Sequence, residues 1–186
     1  MAQTQRTSAV KAPNPRRASR ACGRALVAFA ILLAAAPVSA GGLDPSLVGT
    51  WRLVRFESRV ADGQVRHPMG ERVEGQMVYT EAGRISTHIM RAGRAAFASG
   101  DRARGTDAET REAFVGYLAY YGTYAVDAAA GTIHHHIAGA SFPNWIGTTQ
   151  VRQFVIDGDE LTITTPPLQA AGEALTTVLV WARVSR

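Results

Sequence analysis

Gln76-Met-Val-Tyr-Thr-Glu-Ala-Gly-Arg-Ile-Ser-Thr-His-Ile-Met-Arg91 reads as two strands joined by a tight connection. Gln76–Thr80 is strand-like, Glu81-Ala-Gly83 supplies the turn, and Arg84–Arg91 is the returning partner. Successive side chains of a strand point to opposite faces. Ile85, Thr87 and Ile89 therefore share one face, and Ser86, His88 and Met90 share the other. One apolar face and one polar face describe the wall of a sheet with a single core.

The pattern extends in both directions. Gly49-Thr50-Trp51 opens an earlier strand, in which alternation breaks at Leu53-Val54. That break predicts a bulge or a strand partly buried on both sides. Ala61–Gln64 is a turn, and Pro68-Met-Gly70 lengthens the loop after it. Beyond the hairpin, the Arg/Gly/Ala-rich loop Ala92–Gly105 is long enough for a lid or a disordered flap. Thr106-Asp-Ala-Glu109 has capping-box spacing, and Phe114, Tyr117, Leu118 and Tyr121 recur at i, i+3, i+4 and i+7. A helix is expected there, giving way near Gly116–Tyr120 to a strand ending at Val126, with Phe114 and Tyr117 capping the core. Further strands follow from Gly131, over Thr148–Ile156, Glu160–Thr165 and Leu175–Val184, with Pro143-Asn144, Asp157-Gly-Asp159 and Pro166-Pro167 between them. About eight antiparallel strands in a meander, with one short helix, suit an all-β closed up-and-down barrel holding one small ligand. A β-sandwich is the alternative.

The charge of +5 is uneven. Arg6, Lys11, Arg16, Arg17, Arg20 and Arg24 share the first forty residues with no acid, and 14 arginines face 15 acids afterwards. Residues 41–186 are thus almost neutral and offer no basic patch for nucleic acid. The basic leader, the apolar run Ala25–Ala36 and Pro37-Val-Ser-Ala40 together read as a signal peptide, residues 1–40. The apolar run falls short of the roughly 20 residues a membrane span needs. A periplasmic or secreted domain, residues 41–186, is expected, with no membrane insertion after cleavage. Arg16-Arg17 hints at twin-arginine export, though Ala18-Ser-Arg20 follows where apolar residues would strengthen it. Cys22 lies in the leader, so the cleaved chain would have no thiol for a disulfide or a nucleophile.

Several stretches resemble the bacterial lipocalin-like domain family. They are Leu47-Val-Gly-Thr-Trp-Arg-Leu-Val54, Tyr79-Thr80 with Gly83, and His135-His136 leading to Phe142-Pro-Asn-Trp-Ile-Gly147. Val151-Arg-Gln-Phe154, Leu161–Pro167 and Val180-Trp-Ala-Arg183 extend the likeness over nearly all of residues 46–184. His134, His88 and the leader depart from the family pattern. The resemblance implies a lipocalin-like barrel more firmly than any activity. It also implies that Trp51 closes one end under a guanidinium from Arg183, a structural pair joined by cation–π contact.

His134 and His136 share one strand face and His135 points the other way. A zinc site would need a third ligand from His88, His67 or a carboxylate, and no spacing supplies one, so no metal or cofactor is assigned. A pocket histidine can instead orient a polar ligand head or act as acid or base. Tyrosine hydroxyls from Tyr79, Tyr120 and Tyr124 suit an otherwise apolar cavity, and Phe142, Asn144 and Trp145 sit at a turn near the barrel mouth. The candidate ligand-binding set is His88, His135, His136, Tyr79, Tyr120, Tyr124, Phe142, Asn144 and Trp145. Glycine-rich phosphate loops, nucleophile elbows and His-Glu-x-x-His are absent. The leading expectation is an exported barrel that binds a small, mostly apolar molecule with a polar end. A cofactor-free isomerase, cyclase or hydratase using a pocket histidine and tyrosine is the alternative, followed by a histidine-dependent metal or haem binder and a simply packed module.

Overall fold

A computed structural model describes residues 42–170 and 172–186. The leader expected over residues 1–40 lies outside them. In chain order the elements are β1 (Gly49–Val60), β2 (Val65–Arg66), β3 (Val73–Tyr79), β4 (Arg84–Arg91), α1 (Asp107–Val115), β5 (Tyr117–Asp127) and β6 (Thr132–Ala140). A 3-10 turn (Pro143–Trp145) leads to β7 (Thr149–Asp157), β8 (Glu160–Thr164), β9 (Leu168–Ala170) and β10 (Glu173–Ser185). The expected hairpin is β3 and β4, with Tyr79 opposite Ile85 and Val73 opposite Arg91.

Each strand of the series β1-β3-β4-β5-β6-β7-β8-β10 pairs antiparallel with the next, and β10 returns to pair with β1. Eight strands therefore close into a barrel. The short β2 and β9 are additions beside β1 and β10 that strand patterning did not single out. Closure removes the unpaired edges that invite aggregation. It also gives every strand a dry face: Met77 and Tyr79, Ile85 and Ile89, Ile133 and Ile137, Leu161 and Ile163 are all buried.

Leu53 opposes Trp181 and Arg55 opposes Val180, which leaves Val54 as the extra residue of a bulge. The disrupted alternation at Leu53-Val54 marked this place. The bulge shifts the inward parity of β1: Trp51 and Leu53 are buried before it, and Phe56 and Ser58 turn inward after it. One strand thereby plugs an end with its first half and lines a cavity with its second.

At that plugged end Trp51 is fully buried, and its Nε1 donates to the Leu47 carbonyl at 2.8 Å. The Arg183 guanidinium lies 4.0 Å from the indole centroid and donates to the carbonyls of Ser46 (2.7 Å) and Val48 (3.1 Å). Asp159 pairs with its Nε at 3.2 Å. Gly49 lets the chain enter this plug. Its φ is 129°, and a side chain there would strike the Ser185 carbonyl.

Two expectations are corrected around α1. The capping box forms, with Glu109 N donating to Thr106 Oγ1 at 3.2 Å and Thr106 N to Glu109 at 2.7 Å. The helix ends at Gly116, at the near edge of the expected changeover, but the strand starts at Tyr117 rather than Tyr120, so Tyr117 and Leu118 as well as Tyr121 belong to β5. Their helical spacing is a coincidence of two strand faces. Pairing with β4 claims their backbone, Leu118 joins Tyr120 on the cavity side, and Tyr121 is exposed. Phe114 is exposed as well, and α1 buries no residue, so it caps no core. The loop before it is tied to the helix, because Ala98 N donates to Glu109 at 2.7 Å. Among the described residues no helix is long and apolar enough to cross a membrane.

Replacing Arg183 by methionine keeps much of the stacked volume but removes the cation and its donors. It should lower the unfolding free energy by about 2 kcal/mol, seen as a lower urea midpoint at unchanged slope. A midpoint equal to that of the wild type would show that the plug contributes nothing.

Candidate functional site

The inward rows of β3, β5, β6 and β7 meet in a buried polar cluster. On β6 the order Ile133, His135, Ile137 faces the interior and His135 is fully buried. Its Nε2 is hydrogen-bonded with Tyr79 Oη at 2.8 Å and its Nδ1 with Tyr120 Oη at 3.1 Å. Either tautomer satisfies both contacts, because a phenol donates and accepts. Burial, reinforced by the positive charge of Arg152, holds the His135 pKa down at about 3. The imidazole is therefore neutral near pH 7. Burial also pushes Tyr79 well above the usual phenol value and raises Tyr120, so both stay protonated.

Arg152 on β7 stands in the same interior, only 5% exposed. It donates to the carbonyl of Val151 at 2.9 Å and to Gln150 Oε1 at 3.2 Å. No carboxylate comes within 4.0 Å of it among the described residues. Burial lowers its pKa while Tyr120 and Tyr79 draw it back up, and a guanidinium keeps its proton in such settings.

Beside this cluster lies a cavity of about 210 Å³. Phe56, Met77, Ile89, Leu118, Trp145, Ile163, Leu179 and Trp181 make it largely apolar, and Pro68 of the loop after β2, Leu168 of β9 and Leu175 of β10 add further wall. Its polar groups are Tyr120, Arg152, Thr87, Thr165 and the pair Ser58–Thr177, whose hydroxyls are 3.0 Å apart. Thr87 Oγ1 and Trp181 Nε1 are buried without a hydrogen-bond partner among the described residues. No residue of the 92–105 loop or of α1 lines the cavity, so the expected lid does not cover it.

The structure thus gathers Tyr79, Tyr120 and His135, with Trp145 against the Tyr120 ring at 5.7 Å between centroids. Of these, Tyr120 and Trp145 touch the cavity, while Tyr79 and His135 stand behind Tyr120. Tyr124 is interior but turned away, its hydroxyl donating to the Thr80 carbonyl at 3.1 Å. Phe142 packs edge-on against Trp145 and is largely exposed, and Asn144 is exposed on the 3-10 turn. The expectation that His88 and His136 orient a ligand inside is corrected. Both are exposed on the outer face, His88 Nδ1 with Tyr117 Oη at 2.6 Å and His136 Nδ1 with Thr149 Oγ1 at 2.8 Å. Strand parity is the cause: each lies one residue away from an inward neighbour.

His134 and His136 share the outer face. Among the described residues, no three His, Cys, Asp or Glu side chains gather as a metal set. Arg152, Thr87 and Trp181 were not picked out from the sequence. The signal for Arg152 was present, since it alternates in phase with the apolar Phe154 and Ile156. Its charge alone argued for solvent.

The lipocalin-like domain model matches residues 48–184 of the chain. A relative from Aspergillus oryzae, a 4'-hydroxy-3'-methoxypropiophenone carrier protein, is 36% identical over 109 residues. That match covers 55% of this chain and 98% of the relative. No solved structure gives a significant match.

A histidine with a depressed folded pKa costs stability in acid. The unfolded imidazole takes a proton near pH 6.5 and the folded one only near pH 3, so stability is complete above that window and falls as pH drops through it. Between pH 6 and pH 4 the wild type should lose about 1 kcal/mol per pH unit more than His135→Gln. Urea unfolding at several pH values reads this difference, and parallel curves for the two proteins would refute a neutral buried His135.

Proposed function

The chain belongs to the lipocalin-like domain family, and from that premise we propose that it is an exported carrier of a small, mostly apolar molecule about one substituted ring in size. The observation that carries this reading is the cavity of about 210 Å³, apolar over most of its wall and furnished with a few polar groups. An apolar cavity of roughly 150 Å³ accommodates benzene, so this one suits a ring with short substituents. The aryl ketone named in the fungal carrier has those dimensions, which supports the same ligand class here. The basic, apolar and small-residue segments of the leader support export to the periplasm or beyond.

No observation favours turnover. His135 does not line the cavity and is too weakly basic to serve as a general base near neutrality, where a catalytic pKa near the working pH is needed. Its place between two phenols suits positioning of Tyr120.

Titration calorimetry with 4'-hydroxy-3'-methoxypropiophenone is expected to show saturable one-to-one binding. Leu179→Trp, which pushes an indole into the cavity, should abolish it at a stability cost of roughly 1–3 kcal/mol. Absence of any saturable heat from aryl ligands of this size, or undiminished binding by Leu179→Trp, would sink the carrier reading. In the native host, the exported protein should begin at Gly41. An intact leader on protein confined to the cytoplasm would refute export.

A further inference from the structure

Arg152 is a buried cation with no carboxylate within 4.0 Å among the described residues. Its guanidinium is held by the Val151 carbonyl and the Gln150 side-chain oxygen, both neutral acceptors. A charge taken out of water into an apolar wall is costly unless it is paired. A methionine at this position would fill the space without that cost, so packing alone gives no reason for an arginine. The cation also lines the cavity, where a guest has room to meet it.

We infer that the occupant of the cavity carries a negatively charged oxygen on its ring, an aromatic carboxylate or an acidic phenol, and that Arg152 binds it. This rests on the carrier reading and adds the charge of the ligand to it. Tyr120 supplies a second donor. When His135 carries its proton on Nδ1, Tyr79 donates to Nε2, Nδ1–H donates to the Tyr120 oxygen, and the Tyr120 hydroxyl proton is left free for the cavity. The buried triad is then a positioning device that aims one neutral O–H beside a guanidinium. A charged donor and a neutral donor in an apolar wall select an oxyanion over a neutral ring of the same shape. Thr87, directly across from Tyr120 in the β4–β5 register, adds a hydroxyl to the same wall.

The test uses para-nitrophenol, whose anion is yellow, and the uncharged para-nitroanisole as the shape control. In the wild type the bound nitrophenol should ionise about 1 to 3 pH units below the free compound. Arg152→Met should lose that shift and weaken nitrophenolate binding roughly 10- to 100-fold more than it changes nitroanisole binding. A native near-ultraviolet circular dichroism spectrum shows that the variant is folded, and Arg152→Lys, which keeps the charge, should retain part of the shift. Benzoate separates the two sources: displacement of nitrophenolate admits carboxylates, and failure to displace restricts the site to phenolates. A bound nitrophenol that ionises at or above the pH of the free compound, or an equal shift in Arg152→Met, overturns the inference while nitroanisole binding leaves the carrier reading standing. If neither probe binds, the carrier reading itself falls.

Discussion

Pairing of the first strand with the last is the constraint from which the remaining structure follows. Once β10 returns to β1, each strand has an inner face that water does not reach freely and an outer face that it does. Polar groups on the inner face must then find partners within the barrel or in a guest. The Trp51–Arg183 plug serves the same closure at one end, spending a guanidinium on an indole face and two carbonyls of the entering chain.

Two polar residues on the inner face meet that demand in opposite ways. His135 is satisfied internally, with a phenol on each ring nitrogen, and burial keeps it uncharged. Arg152 cannot shed its charge so readily and has only neutral acceptors. The first explains why the chain tolerates a histidine in its core. The second gives the cavity a polarity that neither its apolar wall nor its size would require. The bulge at Val54 contributes by turning Phe56 and Ser58 inward, beyond the point where Trp51 and Leu53 have filled the barrel.

Local pattern and tertiary placement diverge at three points. Phe114, Tyr117, Leu118 and Tyr121 fit a helical period, yet a glycine at 116 ends the helix, and residues on both faces of a strand happened to mimic one helical stripe. His88 and His136 attracted attention because histidine is chemically versatile, but parity places them outside. A charge on a strand ordinarily faces water, a rule that Arg152 breaks because the sheet closes around a ligand-sized space.

By itself, the sequence determined the strand–turn alternation and the opposite orientation of His135 relative to His134 and His136, and it marked an irregularity at Leu53-Val54. These are local, because a period of two sets which way neighbours point, whereas the plug of Trp51 and Arg183 joins the two ends of the domain and was expected only through the family resemblance. Tertiary structure alone decided that His135 is the inward histidine, that Tyr79 and Tyr120 clasp it, and that Arg152 faces a cavity without a carboxylate. Those facts depend on register between strands far apart in the chain. Shifting one pairing by a single residue would exchange the inner and outer faces, and no local pattern records which exchange closure selects.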